Sequence, residues 1–343
     1  MVVRLLFVCD HTFHYRANQI LEKAMEAARR LLSYLYSIFF VIGLFSTTNS
    51  QAADATKTIG LRISTRQKVP GIFELNQRSR KKADDGKVVS ETTKVQWKVS
   101  ETVIIICDMW DDHYCKLAAQ RVSDMVPRMN KVLTAARAHG ALIIHAPSGC
   151  MNVYKDTPYR KRAETAPYAK PPFALQGWCY LDPKTEAEMP VDVSKGACDD
   201  PVPHKAVRHF SKQHPGLTII GYDAISSNGQ EVYNLMKLEG IKNVVMMGVH
   251  TNMCVLGRPF GIRQLTRLGF NVALARDLTD AMYDPRNYPY VSHTRGTELV
   301  VEHIEQYWCP SIVGVDLMKV IPGSNDPDPS VVKNRKVAGK NEQ

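Results

Sequence analysis

The sequence lacks a long basic tract, although its 343 residues carry a formal net charge of +10. The densest basic run, RSRKK at Arg78–Lys82, is followed by Asp84 and Asp85. Nucleic-acid surfaces concentrate basic residues on one face beside aromatic or groove-reading elements, and this sequence shows no such pattern. We therefore expect a solvated basic surface and no nucleic-acid partner.

The uncharged apolar run Leu31–Phe45 holds 15 residues, fewer than the roughly 20 that a membrane-spanning helix needs. Arg29 and Arg30 precede this run, and small residues follow it. Basic, apolar and small-residue regions in this order are typical of a secretory signal. We predict a signal over residues 1–53, and hence an exported protein, periplasmic or secreted. Translation from Met25 is one explanation for the residues that precede the apolar run, and a start at Met1 stays open. An uncleaved membrane anchor is the alternative.

Low hydrophobic content, the mark of a disordered chain, is also missing, since 44% of the residues are hydrophobic. The length allows one large domain with additions. Short apolar pieces indicate a small β-rich extension over residues 54–100. The main domain is predicted over residues 101–320. A disordered tail, rich in proline, asparagine and lysine, is predicted over residues 321–343.

From residue 102 onward, strand and helix patterns alternate. TVIIICDM is a continuous apolar run typical of a strand buried on both faces, and apolar residues then recur at helical steps up to Gly140. Further strands are predicted at ALIIHAP, GLTIIGYDAI, IKNVVMMGV, FNVALARDL and SIVGVDL. A helix capped by Ser226 or Ser227 and another over residues 252–268 lie between them. This alternation predicts an α/β fold with three layers, α/β/α, and a mainly parallel six-stranded sheet.

A long loop over residues 148–216 interrupts the alternation. It is rich in proline and follows the second predicted strand, so it should lie at the carboxyl edge of the sheet, where ligands bind in such folds. Two of the eight cysteines, Cys179 and Cys198, fall within it. A disulfide and a pair of free surface thiols both remain open for these two residues.

Two chemically capable side chains follow predicted strands. Asp108 ends the run VIIICD, and Cys254 stands in GVHTNMCVLG after NVVMMGV. Because parallel strands end at one edge, we expect the two residues to lie close together. A helix N-terminus favours a thiolate, and a carboxylate can accept the thiol proton. Taken alone, Cys254 could instead be a buried apolar side chain and Asp108 a helix cap.

The segments VIIICDMW and GVHTNMCV, in this order, resemble the isochorismatase-like cysteine hydrolases, which include nicotinamidases, N-carbamoyl amidohydrolases and isochorismatases. The resemblance covers about residues 102–320. It implies a hydrolase of small amide, carbamoyl or related C–N substrates. In this interpretation Asp108 is the general base, and Cys254 is the nucleophile that forms a thioester.

The resemblance also implies a role for the turn that precedes Cys254. Val249, His250 and Thr251 would lie against the substrate, and this turn would form an oxyanion hole with the Cys254 amide. A cis peptide bond would join Val249 to His250, a strained geometry that is typical of functional sites.

The family's third catalytic residue is a lysine, and matching the segment around ISSNGQEV places Gly221 at its position. The nearest upstream cations include Arg208 and His209 in VRHFSK. These two residues are the candidates to replace the lysine, and a solvated basic loop is the alternative.

Four further residues are candidates for the site. Trp110 and His145 would line a pocket, with a rim aromatic and a core-packed histidine as alternatives. The spacing of Asp111 and His113 suits a metal, and some nicotinamidases bind one beside this turn, but two ligands do not make a site. We therefore expect no cofactor, with a divalent metal at Asp111 and His113 as the alternative.

Two other functions stay open. The absent lysine favours a non-catalytic isochorismatase-like module that binds a ligand or a partner protein. A vinyl-ether hydrolase of the isochorismate type would need no cysteine nucleophile. The expected partner is a small-molecule substrate, with membrane contact only through an uncleaved N-terminal segment. Relatives are often oligomeric, so a homo-oligomer is compatible with the resemblance.

Overall fold

The computed structural model describes residues 65–202 and 205–323. The predicted signal segment, the start at Met25 and the tail beyond residue 323 lie outside the described residues. Within the described ranges, no helix combines the length and apolar character needed to cross a membrane.

One mixed sheet forms the centre of the described structure. Its strand order is β2-β1-β8-β7-β6-β3-β4-β5, and β9 pairs with β1. The strands are β1 (Gly71–Lys82), β2 (Val88–Lys98), β3 (Thr102–Cys107), β4 (Leu142–Ala146), β5 (Ala224–Ile225), β6 (Asn243–Val249), β7 (Asn271–Asp280), β8 (Ser311–Ile312) and β9 (Val320–Pro322).

Six of these strands, from β5 across to β8, run parallel to one another, as the alternating pattern predicted. The third predicted strand, GLTIIGYDAI, is much shorter than expected, because only its last two residues form β5. Side chains bind the backbone before it: Asn130 accepts from the Thr218 amide, and Asp223 accepts from the Ile220 amide. These bonds replace those of a strand ladder.

The predicted β-rich extension enlarges the same sheet. Strands β1 and β2 form an antiparallel hairpin, and Arg78 of β1 pairs with Ser311 of β8. Phe73 and Trp97 from this hairpin pack into the apolar layer on one face of the central sheet. Strand β9 includes the first residues of the segment predicted as a disordered tail.

Helices cover both faces of the sheet, so the fold has the three predicted layers. Helix α1 packs on one face, and the apolar residues of the other helices pack on the opposite face. The helices are α1 (Lys116–Ala138), α2 (Pro158–Glu164), α3 (Gly229–Leu238), α4 (Cys254–Gly257), α5 (Ile262–Arg267) and α6 (His293–Tyr307).

Two helix predictions need correction. Helix α3 begins after Asn228, whose side chain accepts from the amides of Gln230 and Glu231, and neither Ser226 nor Ser227 is the cap. The helix expected over residues 252–268 is two helices, α4 and α5. Pro259 lies between them, and proline has no amide hydrogen with which to continue the α4 ladder.

The ends of β3 and β6 approach each other closely at Gly248, which pairs with Cys107. Gly248 has φ of 106°, and a Cβ atom added there would lie 2.1 Å from the Cys107 carbonyl oxygen. Only glycine fits this position, because the backbone conformation and the close approach both exclude a side chain. The contact fixes how close Asp108 lies to the turn before Cys254.

We expect Gly248→Ala to lower the free energy of unfolding by several kcal/mol, since backbone strain and a backbone clash combine. Gly269→Ala is the matched control, because Gly269 also has positive φ (82°) but no neighbouring atom within 4 Å of the added Cβ. It should cost roughly 1 kcal/mol. Urea denaturation of both variants measures the difference, and equal losses would contradict the close-approach explanation.

Candidate active site

Asp108 and Cys254 lie together at the carboxyl edge of the sheet, after the adjacent strands β3 and β6. Their side chains are hydrogen-bonded to each other, and both residues are buried. Asp108 has φ of 49°, in the left-handed region. This conformation costs roughly 1 kcal/mol or more and is characteristic of functional sites. The expected proximity of the two residues is confirmed.

A cation that the sequence analysis did not identify completes the group. The Arg258 Nε atom donates to Asp108 Oδ2 at 2.9 Å, and the Ser148 amide donates to Asp108 Oδ1 at 2.7 Å. Arg258 follows Cys254 by four residues and directly follows α4, so one helical turn carries the thiol and the cation on the same side. The spacing of four residues between Cys254 and Arg258 is the feature of the sequence from which this cation could have been predicted.

Asp108 and Arg258 act in opposite directions on the pKa values at this site. Burial raises the pKa of Asp108, and Arg258 and the hydrogen bond from Cys254 partly oppose the rise. Burial, then the Asp108 carboxylate, raises the pKa of the Cys254 thiol well above its ordinary value, and Arg258 acts in the opposite direction. The raised pKa of Cys254 favours a neutral thiol, which lies next to the Arg258–Asp108 contact.

Backbone amides also face the Cys254 thiol. The His250 amide donates to the sulfur, and the predicted cis peptide bond between Val249 and His250 is confirmed. The Thr251 amide donates to the Asp280 carbonyl at 2.9 Å, so it is already engaged. The Cys254 amide has no hydrogen-bond acceptor among the described residues, which leaves it open to an incoming oxygen.

The two cations predicted to replace the lysine lie elsewhere. Arg208 is exposed; its Nε donates to the Phe210 carbonyl, and its guanidinium lies 4.9 Å from the Phe210 ring. His209 is exposed as well. Gly221, the matched lysine position, lines a cavity with Arg66 and Gly140 before the strands β4 and β5 begin. That is the edge of the sheet opposite Cys254, so a side chain there would not reach the thiol.

Aromatic rings form a wall beside the site. Trp110 stacks on Phe210 at 4.2 Å between ring centroids, and its Nε1 donates to the Ser148 carbonyl. The His113 and His250 rings lie 5.0 Å apart. Burial lowers the pKa of His250 to about 3, so this ring is neutral at pH 7. Val249 packs into the apolar layer on the α1 face.

His145 does not join this wall. Its ring is fully buried, with Nδ1 3.0 Å from Gln213 Oε1 and Nε2 3.1 Å from Asp223 Oδ2. Its neighbour Ala146 packs with Cys254 in the apolar layer on the other side of the sheet. Successive side chains of a strand point to opposite faces, so His145 points away from the thiol. His145 is therefore a core-packed histidine, which was the alternative to a pocket-lining role.

The predicted metal pair is engaged in other bonds. Asp111 accepts from the Ser211 amide, the Ser211 hydroxyl and the Lys212 amide, while His113 Nδ1 accepts from the Cys115 amide. These contacts join the long loop to the segment after β3. Asp111 and one ring nitrogen of His113 thus have structural roles, and the divalent metal at these two residues stays a prediction.

Cys179 and Cys198 are both free thiols, and both are buried, so neither the disulfide nor the surface-thiol interpretation describes them. Cys179 Sγ donates to Gln264 Oε1 at 3.2 Å. Its amide donates to the Gly257 carbonyl at 2.7 Å. The loop therefore rests on α4, the helix that begins with Cys254.

Two side chains of the long loop fasten it over the site. Trp178 packs against Gly257, and the Arg258 guanidinium lies 5.4 Å from its ring. Glu186 is buried and accepts from both arms of Arg263, with Nε at 2.6 Å. Glu186 also accepts from the Trp308 ring nitrogen at 2.8 Å. Trp178 therefore covers one side of Arg258, and Glu186 anchors the same loop to α5 and to Trp308.

No protein-family model and no curated protein matches the chain. Among solved structures, it is similar to a cysteine hydrolase from Pseudomonas syringae pv. phaseolicola 1448A, with 15% identity, a TM-score of 0.41 and coverage of 65% of this chain and 94% of that one. It is also similar to an isochorismatase from Pseudomonas putida KT2440, with 12% identity, a TM-score of 0.38 and coverage of 63% and 90%.

A third similar structure is a pyrazinamidase of Pyrococcus horikoshii in complex with zinc, with 14% identity, a TM-score of 0.34 and coverage of 62% and 99%. The descriptions of these structures agree with the family that the sequence motifs resemble. Likeness at this level identifies neither the activity nor the substrate of the chain. Those depend on the geometry around Cys254.

The loop anchor predicts a specific dependence of stability on pH. Burial alone would raise the pKa of Glu186, but hydrogen bonds from His303, Arg263 and Trp308 lower it to about 2, from an ordinary value of 4.5. A lowered carboxyl pKa stabilises the fold above pH 4.5, and the contribution disappears as the pH falls towards 2. We expect Glu186→Gln to cost about 3 kcal/mol at pH 7.

This loss should shrink steadily between pH 5 and pH 2, as measured by urea denaturation at each pH. Glu188→Gln is the matched control, because Glu188 is exposed and only two residues away. A loss for Glu186→Gln that stays constant over this pH range would contradict the assignment.

Proposed function

We propose that the chain is a cysteine hydrolase of small amide, carbamoyl or related C–N substrates. The observation that supports this function is the group of the buried Cys254 and Asp108 with the partly exposed Arg258, in which a thiol, a carboxylate and a guanidinium meet. A nucleophile beside a base, with a third group that orients the base, is the arrangement required for covalent catalysis.

In the proposed mechanism Asp108 moves each proton. Cys254 Sγ attacks the substrate carbonyl while its proton passes to Asp108. The protonated Asp108 then donates to the leaving amine, so that a C–N bond breaks and a thioester remains on Cys254. Water attacks this thioester, Asp108 accepts the water proton, and the proton returns to the sulfur as the acid leaves. Each cycle restores the neutral thiol and the carboxylate.

Arg258 acts by keeping its charge. Its own pKa is raised, since the attraction of Asp108 and Cys254 outweighs the effect of burial, so it stays protonated throughout. It holds Asp108 Oδ2 by a hydrogen bond and offsets the negative charge shared by the carboxylate and the sulfur. A charge held in place beside the negative charge that develops stabilises such a state without reorganisation.

The open amide of Cys254 suits the developing oxyanion. It lies at the first residue of α4, where helix amides have no intrahelical acceptor. An oxyanion on the substrate carbonyl carbon, bonded to Cys254 Sγ, would lie near this amide. The non-catalytic alternative was favoured by the absent lysine, and Arg258 supplies the cation that the alternative assumes is missing.

We expect Asp108→Asn to separate the reactivity of the thiol from turnover. The Asp108 charge raises the pKa of Cys254, so its removal should speed alkylation of Cys254 by iodoacetamide at pH 8. Turnover of small amides and N-carbamoyl compounds should fall by about 10³-fold, because the proton acceptor is lost. Mass spectrometry locates the label, and Cys254→Ser is the control that should lose both.

Slower labelling in Asp108→Asn would contradict the proposed charge balance. Full activity of Cys254→Ser would contradict the nucleophile and support the vinyl-ether alternative, which needs no cysteine.

We expect Arg258→Met to slow both alkylation and turnover, because the cation that lowers the pKa of the Cys254 thiol is removed. A loss in kcat of about 10²-fold is expected. Arg258→Lys should recover part of it, since a lysine keeps the charge but not the Nε geometry. Arg208→Met is the control for a cation outside the group and should change kcat by less than about threefold. A larger loss of kcat in Arg208→Met than in Arg258→Met would assign the role to Arg208.

A further inference from the structure

A second group of chemically capable side chains lies apart from Cys254, Asp108 and Arg258. Cys115 directly precedes α1, and Cys198 and Asp200 belong to the long loop that packs against it. One sulfur from each cysteine and one carboxylate oxygen all lie within 4.8 Å of one another. The proposed hydrolysis uses none of these three residues.

The spacing of these atoms suits a tetrahedral metal. Cys115 Sγ lies 3.5 Å from Asp200 Oδ1. With zinc–sulfur bonds of about 2.3 Å and zinc–oxygen bonds of about 2.0 Å, a tetrahedral site has sulfur–oxygen edges of roughly 3.5 Å and sulfur–sulfur edges of roughly 3.8 Å. The observed distances are thus compatible with one ion between the three side chains.

The surroundings hold these donors in place. All three residues are buried, and the buried carboxylate among them needs hydrogen-bond partners. The Lys116 amide donates to Asp200 Oδ2 at 2.8 Å, and the Leu117 amide donates to Oδ1 at 2.9 Å. Ligating carboxylates in metal sites are oriented by hydrogen bonds of this kind. The Cys115 thiol also donates to Oδ1 at 3.5 Å, and a bound ion would take the place of this thiol proton.

The adjacent carboxylate of Asp199 touches this group as well, because the Cys115 thiol donates to Asp199 Oδ1 at 3.3 Å. It accepts from both arms of Arg121, at 2.8 and 3.0 Å, and lies 3.3 Å from His293 Nδ1. Asp199 therefore balances positive charge at the edge of the group. The three donors whose ligand atoms all lie within 4.8 Å of one another are Cys115, Cys198 and Asp200, and water would be the fourth ligand of an ion there.

We propose that Cys115, Cys198 and Asp200 bind a zinc ion. Two thiolates and a carboxylate in a tetrahedral arrangement favour zinc over magnesium or calcium, which prefer six or more oxygen ligands. Binding releases the two thiol protons to solvent. The ion fastens the loop around Cys198 to the start of α1, next to the wall that holds Trp110 and His113.

The test measures metal directly and does not depend on activity. The full chain, purified in reducing buffer without chelator, should hold about one zinc per molecule by elemental analysis. Cys115→Ser and Cys198→Ser should each lose most of it. Cys179→Ser is the matched control, because Cys179 is another buried free thiol of the same loop and bonds to Gln264 instead.

A second measurement covers the case in which the serine variants fail to fold. Wild-type protein stripped with chelator should regain several degrees of melting temperature on titration with zinc. Cobalt added in place of zinc should show thiolate-to-metal charge-transfer absorption in the wild type and in Cys179→Ser. Equal zinc in Cys198→Ser and the wild type would overturn the proposal, as would a stripped protein that does not respond to zinc. An intact mass lower by two hydrogens, together with no bound zinc, would overturn it in favour of a Cys115–Cys198 disulfide.

Discussion

Asp108 is a carboxylate without exposed surface at the junction of β3 and β6, and its neighbours are arranged to compensate it. Burying such a charge without partners would cost more free energy than the net stability of a typical folded domain. Ser148 supplies an amide hydrogen to one oxygen, and Arg258 supplies a charged donor to the other. The side of the carboxylate that these two donors leave uncovered faces Cys254. The requirement to satisfy this carboxylate therefore determines which groups surround the thiol.

Contacts of buried or partly buried side chains also hold the segment between α2 and β5 in place. It has little regular structure, so its backbone order depends on side chains that tie it to the domain. Glu186 binds α5 through Arg263, and Asp111 binds the loop amides of Ser211 and Lys212. Trp178 rests on α4. A loop held by buried polar contacts can enclose a site that the sheet leaves open.

The cation beside Asp108 does not stand at the sequence position where motif matching placed it. Motif matching looked for the cation after the third strand, and Gly221 lies at the other edge of the sheet. Arg258 reaches Asp108 from the helix that carries the nucleophile. Electrostatics near a buried carboxylate depend on the distance between charges, whichever segment of the chain supplies them.

The order of strands and helices, the parallel sheet, and the placement of Asp108 and Cys254 at one edge could be predicted from the amino-acid sequence. Those features follow from local periodicity and from the rule that parallel strands end together. Three other features are visible only in the folded chain: Arg258 lies beside Asp108, His145 points into the opposite layer, and Cys198 lies near Cys115. Each of these depends on contacts between segments distant in sequence or on the direction of a side chain, and hydrophobic periodicity records neither.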